Sequence, residues 1–212
     1  DLGARYRFGA PGARGRVELE TRWTDIEYEN NREYTIFRDR NDQLLAGGFY
    51  WRVAPKTSAF VRVDQIETDY DVSTLDSTER HFLVGVEFDA TARTSGTLGV
   101  GRVEKDFDDP SRLDYSGASW RAGVKYKIRS YSMLELTAGR DTDETNGFGD
   151  FILRRDTTLA WMHQWSERLS SQVDVGVAHD EHRPSLRTDD SSFYGVSGQY
   201  RMAPWLRLGA GY

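Results

Sequence analysis

The stretch GASWRAGVKYKIRSYSMLELTAGRDTDETNG, Gly117–Gly147, alternates apolar and polar residues twice around a short polar break. Successive side chains of an extended strand point to opposite faces, so Trp120, Ala122, Val124, Tyr126 and Ile128 share one face and Arg121, Lys125 and Lys127 the other. After Ser130 and Tyr131 the rhythm resumes, with Leu134, Leu136 and Ala138 opposed to Glu135. A sheet with one dry face either packs on a second sheet or faces lipid.

The same period of two recurs along the chain. Val17, Leu19, Thr21 and Trp23 oppose Glu18, Glu20 and Arg22; Phe82, Val84, Val86 and Phe88 oppose Glu87 and Asp89; Val173, Val175 and Val177 oppose Gln172 and Asp174; Leu206, Leu208 and Ala210 oppose Arg207. Short connectors recur at GAPGARG (Gly9–Gly15), APKTS (Ala54–Ser58), TARTSG (Thr91–Gly96), IRSYS (Ile128–Ser132), SERLSS (Ser166–Ser171) and MAPW (Met202–Trp205). After the first interval they fall roughly 37 residues apart, room for two long strands, a tight turn and a longer loop. Between them lie the acidic segments EYENNREYTIFRDRNDQ, DYDVSTLDSTE, DFDDPSRLDYSG, DTDETNGFGD and HDEHRPSLRTDD. The chain therefore reads as all-β, about 12 antiparallel strands in up-and-down order, the first and last short.

Length and asymmetry favour lipid over a second sheet. Strands past ten residues exceed the soluble norm of about 5–6 and suit a tilted bilayer crossing. Short turns on one side and long polar loops on the other are the pattern of outer-membrane barrels. Trp51, Tyr126, Trp161, Trp165, Tyr200 and Trp205 stand near the short turns, as rings at the headgroup level do. A mean hydropathy of -0.68 does not oppose this, because barrel strands commit only alternate residues to lipid. The expected fold is a transmembrane antiparallel up-and-down β-barrel, with residues 1–212 as one outer-membrane barrel domain.

If the short turns face the periplasm, Asp1 and Tyr212 both fall at the outer side, so a strand is expected to be missing from each end and the intact barrel to hold 14 or more. There is no cysteine, which removes disulfides and thiolate chemistry, and the net charge of -6 comes without a basic block, so nucleic acid is not an expected partner. DTDETNG resembles a calcium loop only in part, since the bidentate Glu expected at position 12 is Ile152. His179 and His182 lie beside Asp180 and Glu181 but are too few for a catalytic centre, and no G-x-S-x-G elbow surrounds a serine. No catalytic residue, metal or cofactor is expected. The candidate pore-lining residues are Arg22, Arg52, Arg62, Asp64, Glu87, Asp89, Arg121, Lys125, Lys127, Glu135, Asp174 and Arg207. Opposite signs among them should neutralise one another across neighbouring strands.

The segments KDFDDPSRLDYSG, GRDTDETNG and WSERLS, within a stretch running from about Thr91 onward, resemble the outer-membrane β-barrel porin family found beside exopolysaccharide synthesis and export genes in Gram-negative bacteria. The resemblance implies a barrel that passes secreted polysaccharide, or its fragments, across the outer membrane. Its partners would be outer-membrane lipid, the polysaccharide and periplasmic export components. The residues alone leave open a general diffusion porin for small solutes and a structural barrel that anchors a partner.

Overall fold

The computed structural model describes residues 1–10 and 13–212; Pro11 and Gly12, within the first expected turn, lie outside the described residues. The strands are β1 (Leu2–Phe8), β2 (Gly15–Ile26), β3 (Arg40–Ala54), β4 (Thr57–Tyr70), β5 (Ser77–Phe88), β6 (Thr94–Phe107), β7 (Tyr115–Arg129), β8 (Ser132–Glu144), β9 (Phe151–Gln164), β10 (Leu169–Arg183), β11 (Thr188–Ala203) and β12 (Leu206–Gly211). They make one 12-stranded sheet in chain order, with β1 and β12 at its edges. Every neighbouring pair is antiparallel. The only helical turns among the described residues, α1 (Arg32–Thr35) and a 3-10 turn at Ile36–Arg38, lie in the connection between β2 and β3. No helix there is long and apolar enough to cross a membrane.

The five expected loops are all shorter than their composition suggests, two of them markedly. β8 runs through Glu144, into DTDETNGFGD, and β10 and β11 consume HDEHRPSLRTDD until only Pro184–Arg187 connects them. Beyond the belt the outer face no longer meets lipid and the inner face is covered by the loop-side cluster, so the alternation disappears while the ladder continues.

One face of the sheet carries an apolar belt. Its rows are read from the register: Val61 opposes Val84, Val84 opposes Val100 and Val100 opposes Trp120, while Val124 opposes Leu136, Leu134 opposes Trp161 and Trp161 opposes Val173. On β3 this face runs from Leu45 through Phe49 and Trp51 to Val53, a stretch suited to the about 9–11 residues of a strand crossing a bilayer at about 45°. Towards the long loops the belt stops sharply: on the same face Val63 gives way to Gln65, Phe82 to Arg80, Val100 to Arg102 and Ala138 to Arg140. A lysine or arginine facing lipid costs about 2–4 kcal/mol at the midplane but about 0–1 near the interface, so these positions mark the edge of the hydrocarbon layer. Towards the short turns it ends in rings. Trp161 and Trp165 pack against His163, with centroids 5.3 and 4.2 Å from it, and the indole N–H groups donate to Ser132 Oγ and Ser171 Oγ.

The hydrogen-bonded rows climb across the sheet. One row starts at Phe8, beside a short turn, and passes Val17, Phe49, Val61, Val84, Val100, Trp120, Arg140, Arg155 and His179 to reach Asp190, near the long-loop end of β11. This stagger is the shear that tilted strands need to curl into a barrel wall. Aspartates close the long loops: the backbone N–H groups of Tyr28, Tyr70 and Phe107 donate to Asp39, Asp76 and Asp114 at 3.0, 2.7 and 3.0 Å. Much of the acidity of these loops thus caps strand ends, as Asp side chains do in turns.

Candidate functional site

The other face is concave and charged. From the β1 edge, Arg7 pairs with Glu18 at 2.7 Å and Arg5 with Glu20 at 2.9 Å; Glu20 also takes Arg22 at 2.7 Å and Arg62 at 3.6 Å. Arg62 holds Asp64 at 2.7 Å, Arg121 bridges Asp64 at 3.7 Å and Asp141 at 2.5 Å, and Lys125 pairs with Glu135 at 3.1 Å. Several of these contacts skip strands: Arg16 on β2 reaches Glu87 on β5 at 2.6 Å, and the Tyr70 hydroxyl on β4 donates to Glu144 on β8 at 2.8 Å. Strands in a flat sheet could not meet this way, so the contacts measure its curl. Isolated exposed pairs contribute about 0–1 kcal/mol, and only linked, partly buried ones such as those at Glu20 and Asp64 hold the wall's shape appreciably.

Eleven of the twelve candidate lining residues have a strand neighbour on this face. Arg22, Arg62, Asp64, Glu87, Arg121, Lys125 and Glu135 sit in the ion pairs above. Asp174 accepts from Gln172 Nε2 at 2.8 Å, Arg52 opposes Ser58, and Lys127 opposes Met133. Arg207 shares the face but opposes a like charge, Arg201, beside the last short turn. Asp89 lies just beyond β5, in the turn, where its N–H donates to Lys56 O.

Midway down the face lies a trough of about 450 Å³ bordered by Tyr50, Phe60, Arg62, Arg121 and Asp141. Gly99, Gly123 and Gly139 open its wall, and Gly85 lies beside it, paired with Gly99. A Cβ added at Gly85 would stand 2.1 Å from Leu98 O and 2.6 Å from the Phe60 ring, so that ring lies directly on the bare backbone. Tyr50 follows, its ring 5.4 Å from Phe60, with the Arg16 guanidinium 4.0 Å above it.

Towards the long loops the face closes over. Pairing of β8 with β7 ends at Arg140 and Trp120, so Asp141–Glu144 pair with β9 alone and lean across the concavity. Glu144 thereby reaches Lys105 on β6 at 2.5 Å, and Lys105 is fully buried. Tyr70, Leu75, Phe107 and Phe151 form an apolar cluster above, with Tyr115 against it, 4.9 Å from Phe151. Beneath it His81 lies between Glu79 and Asp141, at 2.6 and 3.2 Å. Sequence reasoning missed Glu79, His81, Lys105 and Glu144. The signal available was parity: Glu79 and His81 alternate in step with Leu83, as Lys105 does with Val103. The histidines singled out do not converge, because His179 bonds Asp190 on the outer face while His182 bonds Asp189 and Phe148 O on the inner one.

A curled antiparallel sheet with an apolar belt, a ring-marked interface and a charged hollow is the wall of a membrane barrel. The family described as "Putative beta-barrel porin 2" matches residues 3–212. The chain belongs to this family. It is a β-barrel protein of the bacterial outer membrane, embedded in lipid, in a family of porins rather than enzymes. No curated protein matches the chain. Among solved structures it is similar to the FrpB iron transporter from Neisseria meningitidis, in the F3-3 variant, with a TM-score of 0.57 and 9% identity over 99% of this chain and 42% of that one. The F5-1 variant apoprotein gives 0.55 and 8% identity over 99% and 43%. The chain thus spans less than half the length of these barrels, and at such identities the likeness is one of fold.

Proposed function

We propose that the charged face lines a pore and that the barrel conducts a secreted exopolysaccharide, or fragments of it, across the outer membrane. The observation that carries this reading is the trough. Tyr50, its ring stacked under Arg16, presents an aromatic edge to a sugar, Arg62 and Arg121 attract carboxylated or otherwise anionic glycans, and Asp64 and Asp141 hold those cations so that binding stays weak enough for release. Arg22, Arg52, Glu87, Asp89, Lys125, Lys127, Glu135, Asp174 and Arg207 extend the lining on either side.

The test is conductance of the full-length barrel in planar bilayers, with polymer secretion measured in a deletion strain. Conductance is expected, and R121E/K125E should move the reversal potential towards cation selectivity and reduce export. Conductance without any change in secretion would point to a general diffusion porin for small solutes. A structural barrel draws on a different observation, the filling of the face by Lys105, His81 and Val103 near the long loops, and it would be favoured by no conductance and unchanged secretion.

A further inference from the structure

We propose that His81 Nδ1 and Asp141 Oδ1 bind a divalent transition-metal cation such as Zn²⁺, tying β5 to the leaning end of β8. His81 is almost wholly buried, and its two ring nitrogens face different carboxylates. Nε2 lies 2.6 Å from Glu79 Oε1, a hydrogen bond in which the ring N–H donates. Nδ1 is buried and has no hydrogen-bond partner, although Asp141 Oδ1 stands only 3.2 Å away. With the proton on Nε2, a lone pair on Nδ1 confronts a carboxylate oxygen, and two acceptors at that distance repel unless a second ring proton or a metal cation lies between them; Asp141 Oδ1 stands off the line a ring N–H would need for a hydrogen bond, which favours the metal. The separation suits two ligands on one ion with bonds of about 2.0–2.2 Å.

The surroundings supply the rest of such a centre. Glu79 fixes the imidazole tautomer from the far nitrogen, the carboxylate–histidine arrangement that orients metal ligands. Arg121 donates to the other oxygen of Asp141, through Nε at 2.9 Å and Nη2 at 2.5 Å, which leaves Oδ1 turned towards the ring. Oδ1 otherwise accepts only long bonds, from Thr142 N at 3.2 Å and Ser119 Oγ at 3.4 Å. Ligand atoms of Glu79, His81 and Asp141 all lie within 4.8 Å of one another. Three carboxylates, Glu79, Asp141 and Glu144, face two cations, Lys105 and Arg121, so one negative charge remains for a metal to offset. The cation would stand where the concave face passes above the apolar belt, joining non-adjacent strands.

The experiment is isothermal titration of the full-length barrel, folded in detergent, with ZnCl₂. Saturable binding of one ion in the micromolar range is expected. His81→Gln and Asp141→Asn should each weaken it at least tenfold, and His179→Gln, which alters an exposed histidine of the outer face, should leave it unchanged. Binding lost in His179→Gln and kept in His81→Gln would overturn the proposal, as would no saturable binding. Should a variant fail to fold, the wild-type barrel loaded with one equivalent of Co²⁺ decides: a single imidazole ligand shielded from solvent supports the site, and a cobalt spectrum with water ligands only overturns it.

Discussion

Lys105 Nζ lies 2.5 Å from Glu144 Oε1 with the whole width of β7 between their strands, because the end of β8 has left β7 and leans over the concave face. Lys105 is buried, so its removal leaves Glu144 and Glu79 without their shared cation, at a cost of about 3–5 kcal/mol, whereas loss of Glu144 costs less because Glu79 Oε2 still faces the ammonium at 3.4 Å. K105M and E144Q should each lower the urea midpoint of the detergent-folded barrel, read from its folded and unfolded gel bands. K105M/E144L should recover most of the loss. Additive losses in the double variant would show that the two groups do not act as a pair.

The unequal connections predict sidedness. The chain has no cysteine, so single thiols can be placed at will. Cysteines at Ser111 and Asn146, both exposed in long connections, should label in intact cells with a membrane-impermeant reagent, whereas those at Lys56 and Arg168 should label only after lysis. The opposite pattern would invert the barrel.

Two glycines should respond differently to the same change. At Gly176 an added Cβ would meet chiefly the Phe193 ring, at 2.4 Å, whereas at Gly85 it would meet a backbone oxygen, Leu98 O, at 2.1 Å. Both alanine variants should cost about 1–3 kcal/mol, the usual range for overpacking. F193A should restore most of the stability lost in G176A, because a side chain can be removed. F60A should not rescue G85A. Unfolding midpoints of the four variants give the comparison.

The connection between β2 and β3 should loosen in acid. The Arg32 guanidinium and the Tyr28 N–H hold the Asp39 carboxyl below the usual aspartate range. A depressed value means that the ionised form is the one bonded in the fold. Its contribution is complete above the ordinary aspartate value and fades as pH falls through the lowered one. Hydrogen exchange at the Tyr28 amide should therefore quicken, relative to the intrinsic rate, only well below that ordinary value. D39N should exchange fast at every pH.

The belt was legible because lipid enforces alternation: Val84, Val100 and Trp120 could each be assigned a face from their neighbours alone. Beyond the lipid that constraint lapses, and so Asp141–Glu144 and His179–Arg183 read as loop although they carry a ladder. Pairing between adjacent strands, as in Lys125 with Glu135, follows from strand order and charge. Contacts across the curl do not. Arg16 with Glu87 and Tyr70 with Glu144 depend on how sharply the sheet bends, which no local pattern encodes.

The climbing register has a consequence for anything that travels along the concave face. Hydrogen-bonded neighbours such as Arg7, Glu18, Gly48, Arg62, Leu83, Gly101 and Ser119 occupy successive heights, not one level. Charges and bare backbone therefore wind around the wall like the thread of a screw. A chain sliding through would meet a continuous slanted track, and would have to rotate as it advanced to keep the same groups in contact.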